Sequence, residues 1–271
     1  MDTVTLLLGD CAEKLKEIPD ASIDLVVTSP PYDSLRQYKG YSFEFEKIAG
    51  ELCRVIKTGG VIVWIIGDAT VDRSETGTSF KQALHFKENL GLKLYDTMIY
   101  SKHGMPTDPR LRYYQRFEFM FILSKGVPQT FNPIADVKSS DRPYKRMDRR
   151  GDDLIYFDRR SHTPEYSVRG NIWYYDSRNM RTGHPASFPL ALAKDHIISW
   201  SNEGDTVLDP FLGSGTTGVA SVELNRKFIG VEISPEYLEM AKQRIQSTKV
   251  QQPEQSIEIT EQQHEYNEID W

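Results

Sequence analysis

Near its C-terminal end the chain reads Thr206-Val207-Leu208-Asp209-Pro210-Phe211-Leu212-Gly213-Ser214-Gly215-Thr216-Thr217-Gly218. A short apolar strand runs straight into a glycine loop and then into helix-forming residues, and no other segment constrains the fold as much. Gly213 and Gly215 permit a tight turn and let a ligand approach the backbone where a Cβ would stand. The helix that follows turns its free N–H groups toward whatever sits on the loop. Gly213, Gly215 and Gly218 satisfy the G-x-G-x-x-G spacing of dinucleotide-binding turns. Glu232 closes the next expected strand, where a carboxylate can bond ribose hydroxyls. The pattern predicts a strand–loop–helix–strand unit holding a nucleoside-bearing cofactor, with a purely structural turn as the alternative.

A dehydrogenase would carry this fingerprint near the start of its nucleotide domain. Here too little chain follows it for the remaining strands, so the N-terminal strands must complete the sheet. They are present as apolar runs: Val4 to Leu8, Ile23 to Thr28, Val61 to Ile66, Leu92 to Tyr100 and Glu118 to Ser124. Helical spacing separates them, at Ala12 to Ile18, Phe43 to Ile56 (capped by Thr58-Gly59-Gly60) and Ser79 to Asn89. Helices are also expected over Pro189 to Trp200, Thr217 to Leu224 and Pro235 to Gln246, with strands at Thr206 to Leu208 and Phe228 to Val231. Strands alternating with helices predict an α/β fold with a parallel sheet.

Composition narrows the function classes. The 271 residues carry 33 basic and 39 acidic side chains, for a formal charge of −6. The charge is unevenly placed: after Ser247, Glu254, Glu258, Glu261, Glu265, Glu268 and Asp270 stand against Lys249 alone. The middle is locally basic, with Lys145, Arg146, Arg149 and Arg150 followed by Arg159, Arg160, Arg169, Arg178 and Arg181. Such a belt can meet phosphates whatever the total charge; a solvated face is the plainer reading. The apolar run at Val61 to Ile66 is far short of the ~20 residues of a membrane span. Met1-Asp2-Thr3 opens without a basic leader, and a cytoplasmic protein is expected. Two cysteines, Cys11 and Cys53, build neither a disulfide framework nor a zinc site, and no metal is expected.

The second chemical motif is Thr28-Ser29-Pro30-Pro31-Tyr32, a strand end stiffened by two prolines. With Ser-Pro-Pro-Tyr early and Asp-Pro-Phe-x-Gly-Ser-Gly-Thr-Thr late, the chain resembles the beta-group amino DNA methyltransferases over most of Thr3 to Gln246, the middle excepted. The resemblance implies a Rossmann-like methyltransferase fold with a mostly parallel sheet, circularly permuted motif order and a target-recognition insertion. It implies S-adenosylmethionine as cofactor and methylation of an exocyclic amine in double-stranded DNA by base flipping and direct attack. The divisions expected are 1–124 for the catalytic half, 125–183 for target recognition, 184–246 for the cofactor half and 247–271 for an acidic tail.

Matching positions then carry implied roles. Ser29, Pro30, Pro31 and Tyr32 form the catalytic corner. Asp10 contacts the adenine end of the cofactor, or else caps the helix from Ala12. Asp209, Phe211, Gly213, Gly215 and Thr216 belong to the cofactor loop, and Glu232 takes the ribose. His184-Pro185-Ala186-Ser187-Phe188-Pro189, at a helix start, resembles the segment that closes over the methionine, giving His184 and Phe188. Members acting on adenine N6 typically carry Asp where this chain has Ser29, so cytosine N4 is favoured and adenine N6 is the alternative. Lys145, Arg146, Arg149 and Arg150 are the expected phosphate contacts, with Arg110 to Arg116 a second candidate. A monomer or homodimer is expected, within a restriction-modification system whose cognate endonuclease is not stably bound.

Competing chemistries leave checkable marks. Carbon-5 methylation needs a Pro-Cys nucleophile and zinc deamination needs His-x-Glu with Pro-Cys-x-x-Cys; neither occurs in the sequence. A nicotinamide-dependent oxidoreductase would be protected by NAD and transfer no methyl. A non-catalytic DNA-binding protein would tolerate Pro30→Ala and Tyr32→Ala.

Overall fold

The computed structural model describes residues 2–31, 43–102, 112–138, 145–150, 153–158, 165–176, 188–250 and 257–262. Tyr32, His184, Arg110 and Leu111 lie outside these residues, and for Lys145, Arg146, Arg149 and Arg150 only the backbone is described.

The elements follow one another as β1 (Asp2–Leu8), α1 (Cys11–Lys14), β2 (Ile23–Thr28), α2 (Phe45–Val55), β3 (Ile56–Ile66), β4 (Thr70–Val71), β5 (Ser74–Glu75), α3 (Thr78–Leu84), β6 (Lys93–Ser101) and β7 (Phe117–Ser124). Then come β8 (Ala135–Lys138), β9 (Lys145–Arg150), β10 (Asp153–Asp158), β11 (Tyr166–Val168) and β12 (Ile172–Tyr174). The chain closes with α4 (Leu190–Trp200), β13 (Thr206–Asp209), α5 (Thr216–Glu223), β14 (Lys227–Glu232), α6 (Pro235–Val250) and β15 (Ile257–Gln262).

Nine strands form one sheet in the order β12-β6-β7-β3-β2-β13-β14-β1-β15. Only β7 runs against its neighbours; the other pairings are parallel. The late pair β13–β14 is flanked by β1 on one side and β2 on the other, so the N-terminal strands do complete the sheet around the glycine loop. The chain leaves β2 toward β3 and leaves β13 toward β14, in opposite directions. That switch point, between β2 and β13, is where open α/β sheets leave a crevice at the carboxyl ends of their strands.

Burial explains why these runs become strands. Val61 to Ile66 is covered on both faces, at 0–1% exposure throughout, as a strand in the middle of a sheet with both faces covered requires. In α2, Ile48, Ala49, Leu52 and Val55 are buried, the 3.6-residue stripe of a helix laid on a sheet. No helix among the described residues is long and apolar enough to cross a membrane.

Three sequence expectations are corrected. Thr58-Gly59-Gly60 does not cap α2: the helix stops at Val55 and the chain passes directly into β3 at Ile56. Gly59 takes φ +83° inside that strand, donating to the Lys125 carbonyl at 2.6 Å and accepting from Gln129 N–H at 3.0 Å. The glycines serve a strand irregularity rather than a helix end. The helix expected to Asn89 is α only to Leu84, its last turn widening to a π-turn over His85–Asn89. Helix α6, expected to end at Gln246, extends to Val250, and β15 within the acidic tail adds an edge strand parallel to β1.

The chain divides into two compact units, Met1–Asn132 with Asn171–Trp271, and Pro133–Gly170. The smaller contains two antiparallel pairs, β8–β11 and β9–β10.

Candidate functional site

The glycine corner is built from β13, the turn after it and the start of α5. Gly213 and Gly215 have φ of +53° and +79°, a region costly for residues with a Cβ. A Cβ on Gly215 would also stand 2.8 Å from Ala241 Cβ, on α6. Gly218 meets a different demand: a Cβ there would lie 2.5 Å from Ile245 Cδ1 and 2.8 Å from Phe228 Cε1. The first two glycines shape the turn and the third lets α5 press on β14 and α6.

Glu232, at the end of β14, holds this turn from the side. Its Oε2 accepts from Gly213 N–H at 2.8 Å and its Oε1 from Ser234 N–H at 3.0 Å. The side chain is buried. Burial pushes its carboxyl upward, against the pull of the Ser234, Gly213 and Ile233 amides. A carboxylate has about four acceptor sites and these amides leave one of them, which a ligand hydroxyl can use. The Glu232 carbonyl accepts from Gly9 N–H at 2.9 Å, which fixes the β1 loop to the same place.

Asp10 follows Gly9 and accepts from Ala12 N–H at 2.8 Å. The helix-cap reading therefore describes a real bond, and α1 is held by it. Asp10 and Glu232 both act on the Cys11 thiol, which burial and then these two carboxylates push up to about 12. A thiol kept protonated in this way is a poor nucleophile.

Phe211 is half-buried and stands edge-on to Phe43 at 5.7 Å and to Trp64 at 6.3 Å. Thr216 Oγ1, at the first residue of α5, is buried without a hydrogen-bond partner. A buried orphan hydroxyl is costly, and it marks a place that a polar ligand group completes. Orphan hydroxyl, glycine turn and buried carboxylate together fit the nucleoside-bearing cofactor expected from the sequence.

At the proline corner Ser29 and Pro31 are half-buried and Pro30 is buried. The two corners are joined directly. Asp209, 2% exposed, accepts from the Thr28 hydroxyl at 2.6 Å on Oδ1 and from the Thr217 hydroxyl at 2.8 Å on Oδ2. Phe211 N–H adds 3.1 Å on Oδ1. Burial pushes this carboxyl up to about 6, the three donors opposing the shift and Glu232 adding to it. The Asp209 side chain is thus turned inward, and its visible work is to tie the loops. Sequence reasoning missed Thr28 and Thr217 as its partners; their signal was a hydroxyl residue inside each motif.

Phe188 is half-buried and Pro189 buried, and Pro189 is the N-cap of α4. Helix α4 packs on both α5 and β2, so the His184–Pro189 motif leads into the helix that supports both corners. At the end of β3, Asp68 accepts from Ser79 N–H at 2.9 Å and from Ser79 Oγ at 2.5 Å. Arg112 clamps the β4–β5 hairpin, donating to Thr70 Oγ1 and to the Arg73 carbonyl at 2.8 Å each. Because Ile66 pairs with Phe119 in the antiparallel sense, the exposed run Tyr113 to Arg116 stands at the carboxyl end of the parallel strands, the end that carries both corners. Lys145 pairs with Asp158 and Arg150 with Asp153 along the β9–β10 ladder.

Comparison with known proteins agrees in kind. A family profile of N6/N4 type described as DNA methylase matches residues 23–243, from β2 to α6 and so across both corners. The orphan methyltransferase M.BamHII of Bacillus amyloliquefaciens is 49% identical over 247 residues, covering 86% of this chain and 92% of that protein. The DNA adenine methyltransferase YhdJ of Escherichia coli K12 is 28% identical over 260 residues, covering 89% of this chain and 82% of its own. Among solved structures, TTHA0409 of Thermus thermophilus, complexed with S-adenosyl-L-methionine, superposes with a TM-score of 0.63 at 26% identity. It covers 94% of this chain and 99% of that one.

Proposed function

This chain belongs to the N6/N4 DNA methylase family, and from that premise we propose that it methylates the exocyclic N4 of cytosine at a specific site in double-stranded DNA. The observation that carries the choice of base is Ser29, where the adenine-N6 pattern has Asp. It stands next to Thr28, whose hydroxyl is bonded to the glycine corner through Asp209. Adenine N6 is the second reading, favoured by the name of the E. coli relative.

The methyl donor is S-adenosylmethionine, the molecule bound by TTHA0409. When bound, it supplies a methyl group on a sulfonium, open to direct displacement. Asp10 and Glu232 take the adenosine, while Phe211, Gly213, Gly215 and Thr216 receive the remainder, the Thr216 hydroxyl gaining the partner it lacks. Asp209 contributes through the turn it braces, and His184 and Phe188 close the methionine side.

An exocyclic amine is a weak nucleophile because its lone pair is delocalised into the ring. Ser29 Oγ and the Pro30 carbonyl accept its N–H groups and favour a more tetrahedral nitrogen. The same fixed dipoles stabilise the positive charge that develops there. Pro30 and Pro31 keep the acceptors in place before the base arrives, and such placement is a large part of catalysis. Tyr32 stacks on the flipped base, offsetting the few kcal/mol of unstacking. No covalent enzyme intermediate is needed.

Lys145, Arg146, Arg149 and Arg150 contact phosphates from within the 125–183 recognition region, between the catalytic half at 1–124 and the cofactor half at 184–246. The protein acts as a monomer or homodimer, without a stable complex with any cognate endonuclease. The deciding experiment incubates DNA with methyl-labelled S-adenosylmethionine, digests it and separates the nucleosides. Label is expected in N4-methylcytosine; label in N6-methyladenine alone overturns the assignment.

A further inference from the structure

The β2–β13 ladder is short. It holds Val207 against Leu25 and Leu208 against Val26 and ends there, one residue before Asp209 and two before Thr28. At the switch point of the sheet, then, the two strands that carry the two motifs stop pairing with each other just where the motifs begin, while Asp209 stays paired with Gly230 and Thr28 with Trp64. Beyond that point Asp209 takes over the task. Its carboxylate receives the hydroxyls of Thr28 and Thr217 on different oxygens, and both threonines are 0% exposed. Thr217 lies in the first turn of α5, and its hydroxyl is also 3.3 Å from the Val27 carbonyl. One carboxylate therefore spans three chain segments: the strand entering Ser29, the strand entering the glycine turn, and the helix leaving it.

Simple core packing does not call for this arrangement. A buried carboxylate with neutral donors costs more than an apolar residue of similar size, and the upward pull on its titration reflects that cost. What the carboxylate provides is direction. Two short charge-assisted bonds fix separation and angle more tightly than apolar contact does.

We propose that Thr28, Asp209 and Thr217 form a positioning clasp that sets the spacing between the acceptors at Ser29–Pro30 and the cofactor turn at Gly213–Thr216. None of the three touches a substrate in this role; they act through the residues that follow them. The inference rests on the methyl transfer of the family and not on which base accepts it. Label in either base reads the clasp, while the identity of the labelled base tests the proposed function separately.

The test compares Thr28→Val, isosteric but without the hydroxyl, with Thr28→Ser, which keeps it. Thr217→Val and Thr217→Ser serve as the second pair should Thr28→Val not fold. Equilibrium binding of S-adenosylmethionine is measured beside steady-state kinetics on duplex DNA. The valine variants should lose about tenfold or more in kcat, since small misplacements of reacting groups are that costly. Their S-adenosylmethionine Kd and DNA KM should stay within about twofold, and the serine variants should recover most of the rate. An unchanged kcat in a folded valine variant overturns the clasp. So does a parallel loss of cofactor binding and rate, or a serine variant as slow as its valine counterpart, because each marks a merely structural role.

Discussion

At the carboxyl ends of the large sheet's parallel strands, side chains are spent on holding loops. Glu232 braces the glycine turn, Asp209 joins it to the proline corner, Asp10 starts α1 and Arg112 clamps a hairpin. In the Pro133–Gly170 unit the paired strands β8 and β11 are exposed along their whole length. One bidentate ion pair, Arg169 with Asp136, is prominent among its described side chains. Chemistry at a fixed atom needs groups held within a fraction of an ångström, and buried hydrogen bonds deliver that. The target reading proposed for the 125–183 region needs surface, and the exposed pair β8 and β11 offers it. The consequence is that substitutions in the two regions should fail in different ways.

The largest effect is expected at the glycine turn. Gly215→Val places a branched side chain at φ +79° and against Ala241. Cofactor affinity, read by calorimetry, should fall by more than about a hundredfold while DNA still binds, since backbone strain and a clash each cost over a kcal/mol. Near-normal cofactor binding would mean that the turn tolerates a side chain at Gly215.

In the smaller unit, Lys145→Ala with Arg146→Ala should do the reverse. DNA affinity should fall about tenfold and the salt dependence should flatten by about two counterions. Cofactor affinity should not move. Unchanged DNA binding across several salt concentrations would remove these residues from the interface.

Two buried groups make the large unit pH-sensitive in opposing directions. Burial lowers His196 from 6.5 to about 3, so the folded protein keeps it neutral while the unfolded chain protonates it. Its contribution to stability is complete above pH 6.5 and is lost as pH falls toward 3. Asp209, raised from 3.8 to about 6, binds its proton more tightly when folded, so its cost to stability grows as pH climbs through that window. Between pH 3.8 and about 6 the two slopes cancel, so this pair should lower stability in urea titrations only from pH 6.5 to about 6 and again from 3.8 toward 3. His196→Leu should remove both declines and leave the Asp209 contribution, stability rising as pH falls from about 6 to 3.8; an unaltered profile would refute this assignment. The smallest effect is expected from Arg169→Ala, which breaks a solvent-facing ion pair and should cost no more than about 1 kcal/mol. A drop of several kcal/mol would mean that the smaller unit is far more tightly built than its exposure implies.

The sequence pattern carried the order of strands and helices because buried strands are apolar on both faces and the loops are marked by glycine and proline. It also located the corners, since Gly213, Gly215 and the Pro30-Pro31 pair have few structural uses other than shaping a strand end. What escaped it depends on pairing across the sheet. Gly59 and Gly60 follow a helical stripe and so resemble a cap, yet the partner strand draws them into β3. Thr28 and Thr217 lie far apart in the chain, and only the parallel placement of β2 beside β13 brings both to Asp209. Asp209 illustrates the limit: the motif places it in the cofactor loop, and only the fold shows its carboxylate buried and bonded to Thr28 and Thr217.

Methyl transfer by this chain requires that the two corners serve one ligand. A crystal structure with S-adenosylmethionine bound measures this most directly. The cofactor should lie along Glu232, Asp10 and the Gly213–Thr216 turn, with its methyl group facing Ser29 and Pro30. A cofactor bound elsewhere, or one whose methyl points away from the proline corner, would contradict it.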